Sequence, residues 1–129
     1  MDLSKLPRSP LDEKLGIVIT EAEPGRVVAT MPVEGNTQPF GLLHGGANGV
    51  IAETVGSVAA ALQAGPGYSI VGTELSCTHH GSAKSGFVTA TATKIHQGRQ
   101  LAVYDIRIID ETGRPTCTAR LTCMIRAQN

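Results

Sequence analysis

One helical segment in an otherwise strand-rich chain constrains the fold more than any other feature. Apolar residues recur at helical spacing between Gly45 and about Ala64, and Gly65-Pro66-Gly67 predicts the end of the helix. Ala, Gly and Val lie on nearly every face of this helix, so no wide polar stripe is available to face water. Because one flat sheet covers only one side of a helix, we expect a curved sheet, a second subunit, or both to cover the rest.

The segments on either side of the helix are typical of β-strands. Residues 15–33 contain two apolar runs around Pro24-Gly25, which predicts two strands joined by a tight turn. Beyond the helix, β-branched residues are concentrated in four segments: Ser69–Thr78, Gly86–Ile95, Gln100–Asp110 and Pro115–Arg126. The predicted class is α+β, with an antiparallel sheet packed on one central helix. We expect a single domain over residues 1–129, with a loose arm over residues 1–12.

The charge and aromatic content argue against two classes of partner. Lys and Arg together number 11, as do Asp and Glu, and 3% of the residues are aromatic. The chain therefore lacks the net positive charge and the stacking surface that are typical of nucleic-acid-binding proteins. His44, Asn48 and Glu53 interrupt the apolar segment Phe40–Leu62, which argues against a membrane span. We expect neither a nucleic-acid partner nor membrane association.

The N-terminal residues and the cysteines favour a cytoplasmic location. The segment 1–16 contains no apolar core of signal-peptide length. Three cysteines with no CxxC spacing predict free thiols in a reducing compartment: Cys77, Cys117 and Cys123. The adjacent His79 and His80 alternate faces of a strand, and no HxH or HExxH spacing is present. We expect no metal and no resident cofactor.

Glu53 is the one acidic or basic side chain between Phe40 and Leu62. A carboxylate among small, apolar residues loses hydration, a free-energy cost that a partner or a function must offset. Two interpretations fit the pattern. The carboxylate is paired with Lys or Arg at a subunit interface, or it is a nucleophile or general base that is ionised at neutral pH. Ser57, one turn later, lies on the same helix face and is placed to orient the carboxylate or a water molecule.

The start of the helix is a second candidate for chemistry. With His44 at the entry, the amides of Gly45 and Gly46 have no intrahelical acceptor and lie at the positive end of the helix dipole. They are suited to stabilise an oxyanion, although glycine is also common at helix starts without such a role. Gly45 and Glu53 are eight residues apart, about 12 Å along a helix, so one acyl carbon cannot contact both on one chain. Two helices packed antiparallel about a two-fold axis would bring Gly45 of one chain to Glu53 of the other.

The segments that contain these residues resemble the hotdog-fold acyl-CoA thioesterases. The matching runs are Gln38-Pro39-Phe40-Gly41-Leu42-Leu43-His44-Gly45-Gly46 and Ala52-Glu53-Thr54-Val55-Gly56-Ser57. The similarity extends from about Leu15 to Arg126. It is closest to the branch of the phenylacetate-pathway thioesterase, the Arthrobacter-type 4-hydroxybenzoyl-CoA thioesterase and 1,4-dihydroxy-2-naphthoyl-CoA hydrolase. The resemblance implies a hotdog fold, in which a curved antiparallel sheet wraps around one long helix, and a homodimer or a homotetramer built as a dimer of dimers.

The resemblance also implies a reaction and its catalytic residues. The Gly45 amide would polarise the thioester carbonyl, and Glu53 of the other chain would attack it or activate water. Gln38 and His44 would line the thioester end of the pocket, and Ser57 would assist Glu53 or its water. The reaction would be hydrolysis of a small acyl- or aroyl-CoA, in which coenzyme A is part of the substrate rather than a cofactor.

Later segments resemble the coenzyme A-binding parts of the same family. A strand containing Gly72 would line the cleft, and two turns would meet the nucleotide and the pantetheine. The first turn comprises His79, His80, Gly81, Ser82, Lys84 and Gly86, and the second comprises His96, Gln97, Gly98, Arg99, Gln100 and Leu101. Lys84 and Arg99 carry charges suited to binding phosphates, and Gly98 would leave its backbone amide accessible. Either cation is equally typical of a turn that is exposed to solvent. Thr78 stands where many family members have Asn.

Two other functions remain open at this point. A dehydratase or hydratase of the same fold uses a catalytic His opposite an acid, whereas His44 adjoins a Gly-Gly helix start. A non-catalytic acyl-CoA-binding module would tolerate Glu53→Gln with little consequence. The sequence leaves the acyl group open among phenylacetyl, hydroxybenzoyl, dihydroxynaphthoyl and medium-chain groups.

Overall fold

The computed structural model describes residues 1–7 and 9–128, so Arg8 and Asn129, which the predicted arm and domain include, lie outside the described residues. A 3₁₀ turn covers Leu3–Lys5 and is followed by the helices α1 (Pro10–Leu15) and α2 (Gly45–Ala64). The strands are β1 (Val18–Glu23), β2 (Arg26–Pro32), β3 (Tyr68–His79), β4 (Phe87–Gln97), β5 (Leu101–Asp110) and β6 (Pro115–Ala127). The predicted order of two strands, one long helix and four strands is confirmed.

All six strands form one antiparallel sheet in the order β1-β2-β4-β5-β6-β3. Strand β3, 12 residues long, is an edge strand that pairs with β6 on one side only. Its register shifts between Gly72 and Glu74, which marks a β-bulge. Within a single chain, β3 therefore presents a long row of unpaired backbone groups at one edge of the sheet.

Helix α2 packs against all six strands and supplies much of the core. Ile51 and Val55 are fully buried on its sheet-facing side, where Gly56 allows close packing on β6. A Cβ added at Gly56 would lie 2.7 Å from Leu121 Cδ2. The opposite side of α2 is open, with Glu53 exposed on it. The expectation that one sheet cannot cover this helix holds for the single chain.

Helix α1 begins inside the loose arm that is expected over residues 1–12 and covers residues 10–12 of it. Ser9 caps its N-terminus by accepting a hydrogen bond from the Asp12 amide at 3.3 Å, and Pro10 occupies the first helical position, where it fits well. Gly16 ends the helix with a φ of 75°, in the left-handed region that favours glycine. The Thr54 hydroxyl of α2 donates a 2.7 Å hydrogen bond to Asp12 Oδ1. The expectation of a loose arm is therefore wrong for Pro10 onward.

Candidate active site

The first turn of α2 presents one free amide. His44 is the N-cap residue, and its Nδ1 accepts a 2.8 Å hydrogen bond from the Gly46 amide. The Gly45 amide has no acceptor among the described residues. The prediction that both glycine amides are available is therefore wrong for Gly46, because the neighbouring imidazole occupies it. Gly45 alone presents an unsatisfied donor at the positive end of the helix dipole.

Gly45 lines a cavity of about 450 Å³, called here the Gly45 cleft, together with Gln38, Asn48, His79, His80 and Ser82. The His79 ring lies directly over Gly45, since a Cβ added at position 45 would be 3.0 Å from His79 Nε2. This contact explains the glycine at the position in steric terms, independently of any ligand. It also places the imidazole beside the free amide.

Asn48 holds the His79 ring from the buried side of the cleft. Its Nδ2 is 3.3 Å from His79 Nδ1, and it donates to that atom when His79 is the neutral tautomer with its proton on Nε2. Asn48 is 4% exposed, and its Oδ1 is buried with no hydrogen-bond partner among the described residues. The sequence pattern predicts no site role for Asn48. The sequence signal for such a role is an amide side chain at a core-facing position of an apolar helix.

The Gln38 side chain organises the loop at the edge of the Gly45 cleft. Its Oε1 accepts hydrogen bonds from the amides of Phe40, at 2.5 Å, and Leu42, at 3.2 Å. Its backbone amide donates to the Leu42 carbonyl at 2.8 Å. Because the side-chain oxygen is used within the loop, the Nε2 group is the part of Gln38 that can donate to a ligand.

The turn after β3 closes the other side of the cleft. The amides of His80 and Gly81 donate to the Thr116 carbonyl at 3.0 and 3.1 Å, which fastens this turn to β6. Lys84 is exposed and forms no ion pair with any described residue. Gly86 adopts a φ of 71°, in the left-handed region that favours glycine, and it lies against the Glu111 carboxylate. The backbone conformation and this contact therefore account for the glycine at position 86.

Glu53 lies in a separate cavity of about 390 Å³, called here the Glu53 cleft. Ser57 and Thr54 line the same cavity from α2. A Cβ added at Gly72 would lie 2.8 Å from Glu53 Oε2, so Gly72 of β3 makes room for the carboxylate. The resemblance placed Gly72 in the wall of the coenzyme A cleft. The structure places it against the predicted catalytic carboxylate.

Cys123, opposite Gly72 in the β3–β6 ladder, lies beneath the Glu53 cleft. Burial raises the pKa of the Cys123 thiol and the nearby Glu53 charge raises it further, whereas a hydrogen bond with Ser57 partly opposes both. Burial also raises the pKa of Cys117 to about 12. A thiol that holds its proton this firmly is a poor nucleophile. All three cysteines are free thiols, as predicted.

The second predicted coenzyme A segment, residues 96–101, lies apart from both clefts. Arg99 is exposed and lines a cavity of about 230 Å³ with Gln63 and Tyr68, beyond the C-terminal end of α2. Gln97 is engaged internally: its Nε2 donates to the Ala60 carbonyl at 3.0 Å, and its Oε1 accepts from the Tyr104 hydroxyl at 2.6 Å.

The hairpin turn between β4 and β5 contains Gly98, Arg99 and Gln100, whereas His96 and Leu101 lie in the flanking strands. The Gly98 amide donates to the Leu101 carbonyl at 2.9 Å. The prediction of an accessible Gly98 amide is therefore wrong, because closing the turn uses it. His96 packs over Gly98, and the Gln100 carbonyl accepts from the Ile125 amide at 2.8 Å. Of this segment, His96, Arg99 and Gln100 present exposed side chains whose polar atoms form no hydrogen bond or ion pair with a described residue.

One chain does not bring the predicted site together. The Gly45 cleft and the Glu53 cleft have no lining residue in common. Within residues 1–7 and 9–128, no group of three His, Cys, Asp or Glu side chains converges as a metal-ligand set. No helix in the described part of the chain is long and apolar enough to cross a membrane.

A six-stranded antiparallel sheet packed on one long helix, with a free amide at the helix start and a carboxylate on the open face of the helix, is the arrangement of a hotdog-fold thioesterase. The chain belongs to the thioesterase superfamily, whose sequence model matches residues 40–117. The predicted family, the hotdog fold and the thioesterase class of enzyme are thereby confirmed.

Individual relatives match over most of their length. The proofreading thioesterase EntH of Klebsiella pneumoniae is 49% identical over 108 residues, which cover 83% of this chain and 79% of that protein. The crystal structure of a Haemophilus influenzae thioesterase has a TM-score of 0.87 at 39% identity, covering 91% of this chain and 82% of that one. A Staphylococcus aureus thioesterase, crystallised as a Gln→Ala variant, has a TM-score of 0.88 at 37% identity, covering 92% and 99% of the two chains.

Proposed function

We propose that this thioesterase hydrolyses small acyl- or aroyl-CoA thioesters at a site shared between two chains. The observation that carries the proposal is the separation of the two reactive groups. The free Gly45 amide and the Glu53 carboxylate lie in different clefts of one chain. A two-fold arrangement of antiparallel α2 helices would supply both groups to one thioester, twice per dimer.

The chemistry of the two groups is complementary. The Gly45 amide, and His79 Nε2 beside it, donate to the thioester oxygen and stabilise the negative charge that develops there. The Glu53 carboxylate either adds to the carbonyl carbon and expels the CoA thiolate, leaving an anhydride that water hydrolyses, or removes a proton from a water that adds directly. Both routes yield the carboxylic acid and CoA. Ser57, one turn beyond Glu53, orients the carboxylate or this water.

The relatives give independent support to two of these positions. The Staphylococcus aureus protein has been crystallised with a glutamine replaced by alanine and, separately, with a glutamate replaced by alanine. Those two residues are 15 positions apart in that protein, as Gln38 and Glu53 are in this chain. The spacing fits a Gln on the amide side of the thioester and a Glu on the other.

Three features of the single chain favour the dimer. The edge strand β3 offers a long row of unpaired backbone groups. The open face of α2 carries small residues, Gly46, Gly49 and Ala61, which allow a second helix to approach closely. The third feature is the separation of two exposed cations: Lys84 follows Ala83, whose carbonyl accepts from the Leu43 amide just before α2, and Arg99 lies beyond the other end of α2. We assign both to CoA phosphates, which one CoA molecule reaches together if different chains contribute them.

The enzymatic proposal is tested by thiol release over a panel of aryl- and alkyl-CoA substrates. Wild type is compared with Glu53→Gln, which keeps size and hydrogen bonding but removes the charge, and with Glu53→Ala. We expect both variants to lose most turnover while still binding CoA. If wild type cleaves no thioester, the chain is not an acyl-CoA hydrolase. If Glu53→Gln turns over like wild type, the assignment of Glu53 fails.

The shared site is tested with a hybrid dimer made from Glu53→Ala and Gly45→Pro chains that carry different affinity tags. A site built from both chains leaves one of the two sites of the hybrid intact, so we expect about half of wild-type activity per dimer. A site built within one chain leaves none. An inactive hybrid would therefore overturn the shared site even if the enzyme is a thioesterase.

A further inference from the structure

The N-terminal segment forms one side of the cavity that contains Glu53. Leu11 of α1 and Pro7 before it face Val50 and Val58 of α2 across the Glu53 cleft. Leu11 is 49% exposed, a large apolar side chain left uncovered beside the carboxylate. The cleft thus has apolar walls on two sides and the predicted nucleophile or base between them.

Helix α1 is fixed in place at both of its ends. Near its start, Asp12 Oδ1 accepts the 2.7 Å hydrogen bond from Thr54, the residue next to Glu53. At its end, the Leu15 carbonyl accepts a 2.7 Å hydrogen bond from Asn36 Nδ2. The position of Leu11 relative to Glu53 is therefore set by side-chain bonds rather than by the length of the chain alone.

We propose that α1 is the wall that selects the acyl group, an inference that rests on the proposed function. Leu11 contacts the acyl chain or ring of the substrate while Glu53 acts on its carbonyl, and the Asp12–Thr54 hydrogen bond sets the distance between the two walls. Apolar side chains bind an acyl group by burying its surface. The substrate class is accordingly an apolar acyl group whose size is limited by Leu11.

The expected change in substrate preference follows from the space that a substitution at Leu11 frees or fills. Removing most of the Leu11 side chain leaves space for several extra methylene groups, and each methylene that gains contact in an apolar pocket changes the rate ratio by roughly tenfold. Leu11→Ala should therefore raise kcat/KM for octanoyl-CoA relative to butyryl-CoA by about tenfold or more. Leu11→Phe should change this ratio in the opposite direction, because it narrows the cleft.

The experiment measures kcat/KM for butyryl-, hexanoyl-, octanoyl- and benzoyl-CoA with each variant. Val18→Ala is the matched control, because Val18 is a similarly exposed apolar residue, 55% exposed, on the edge strand β1 and outside the Glu53 cleft. We expect it to keep the wild-type ratio. If the Leu11 variants give the same ratio as Val18→Ala, α1 is not the selecting wall. If wild type cleaves none of the four substrates, the proposed function itself fails for this panel.

The hydrogen bond is tested by two further variants. Thr54→Val keeps the shape of the side chain but cannot donate to Asp12, whereas Asp12→Asn keeps the acceptor oxygen. We expect Thr54→Val to weaken discrimination between butyryl- and octanoyl-CoA several-fold and Asp12→Asn to preserve it. Equal discrimination in Thr54→Val and wild type would show that the bond does not set the wall. Urea denaturation of each variant separates this effect from a general loss of stability.

Discussion

Gly45→Pro replaces the amide hydrogen of the proposed oxyanion site with the ring Cδ and leaves the hydrogen bonds of the helix intact. Gly45 is the first residue of α2, and its amide has no acceptor among the described residues. Proline is favoured at this position because its ring fixes a helical φ and no intrahelical bond is lost. His44 has an extended conformation, with ψ 132°, as the residue before a proline requires. The backbone is therefore suited to the substitution.

Gly45→Ala is the matched control, because alanine adds the same Cβ but keeps the amide. In both variants this Cβ meets the His79 ring at 3.0 Å, a contact that the side chain can relieve by a shift of a few tenths of an ångström. The crowding of His79 is thus common to both. The difference between the two variants therefore reports the loss of the amide donor together with the ring Cγ and Cδ that take its place.

The expected magnitude is that of one oxyanion donor. Removal of such a donor typically lowers kcat about 10²- to 10³-fold, equivalent to about 3–4 kcal/mol of transition-state stabilisation. The free energy of unfolding should differ between the two variants by no more than about 1 kcal/mol, since neither breaks a hydrogen bond of the folded chain.

Steady-state thiol release gives kcat/KM for both variants, and urea denaturation gives their stability. We expect Gly45→Pro to be at least about a hundredfold slower than Gly45→Ala. Equal rates in two stably folded variants would refute the role of the Gly45 amide. The donor would then have to be sought in Gln38 Nε2 or His79 Nε2.

Three further outcomes follow from packing and titration. Gly56→Ala should lower the urea midpoint, because a Cβ 2.7 Å from Leu121 Cδ2 overpacks the core by about 1–3 kcal/mol, which exceeds the gain in helix propensity. Burial raises the pKa of Tyr104 from 10.0 to about 12. The stability that the buried Tyr104 hydroxyl confers is complete below pH 10 and is lost as the pH rises toward 12. Denaturation at several pH values will show this loss, and Tyr104→Phe should reduce the loss. Asn48→Leu should lower kcat about tenfold, because it releases the His79 ring. It should cost little stability, because it also removes an unpartnered buried oxygen. Steady-state kinetics check the first effect, and urea denaturation checks the second.

The elements that could be predicted are those specified by local pattern. Helix α2 begins at Gly45 and ends at Ala64, as expected from its periodicity and from the Gly-Pro-Gly that follows. The later strands begin and end within two residues of the predicted bounds. Helix α1 is not predicted by hydrophobic periodicity, although Ser9, Pro10 and Gly16 carry its start and stop signals. Six residues are too few for a hydrophobic period, and part of what holds this helix is a bond from Asp12 to a residue 42 positions away.

The parts of the site that could not be predicted depend on contacts between distant segments. Asn48 and His79 are 31 positions apart, and only the fold shows that one holds the other. The same holds for Gly72 and Glu53, which meet across the helix–sheet interface. Gly98 shows the reverse case: a glycine in a turn predicts an accessible amide, but the hairpin closes with that amide. The sequence indicates which residue types are present for the reaction, and the folded chain decides which groups are free to act.

Gly72→Ala tests how closely the position of the Glu53 carboxylate is set. The added Cβ would lie 2.8 Å from Oε2, whereas ordinary contacts begin at 3.4 Å, so the carboxylate must move by roughly half an ångström. Because it is the end of a flexible side chain, folding should be little affected, but a misplacement approaching 1 Å lowers rates by up to about a hundredfold. We expect kcat to fall roughly ten- to a hundredfold. Ser76→Ala, on the other face of β3, should retain wild-type kcat. A Gly72→Ala variant as fast as Ser76→Ala would show that Glu53 acts from a position that this strand does not restrict.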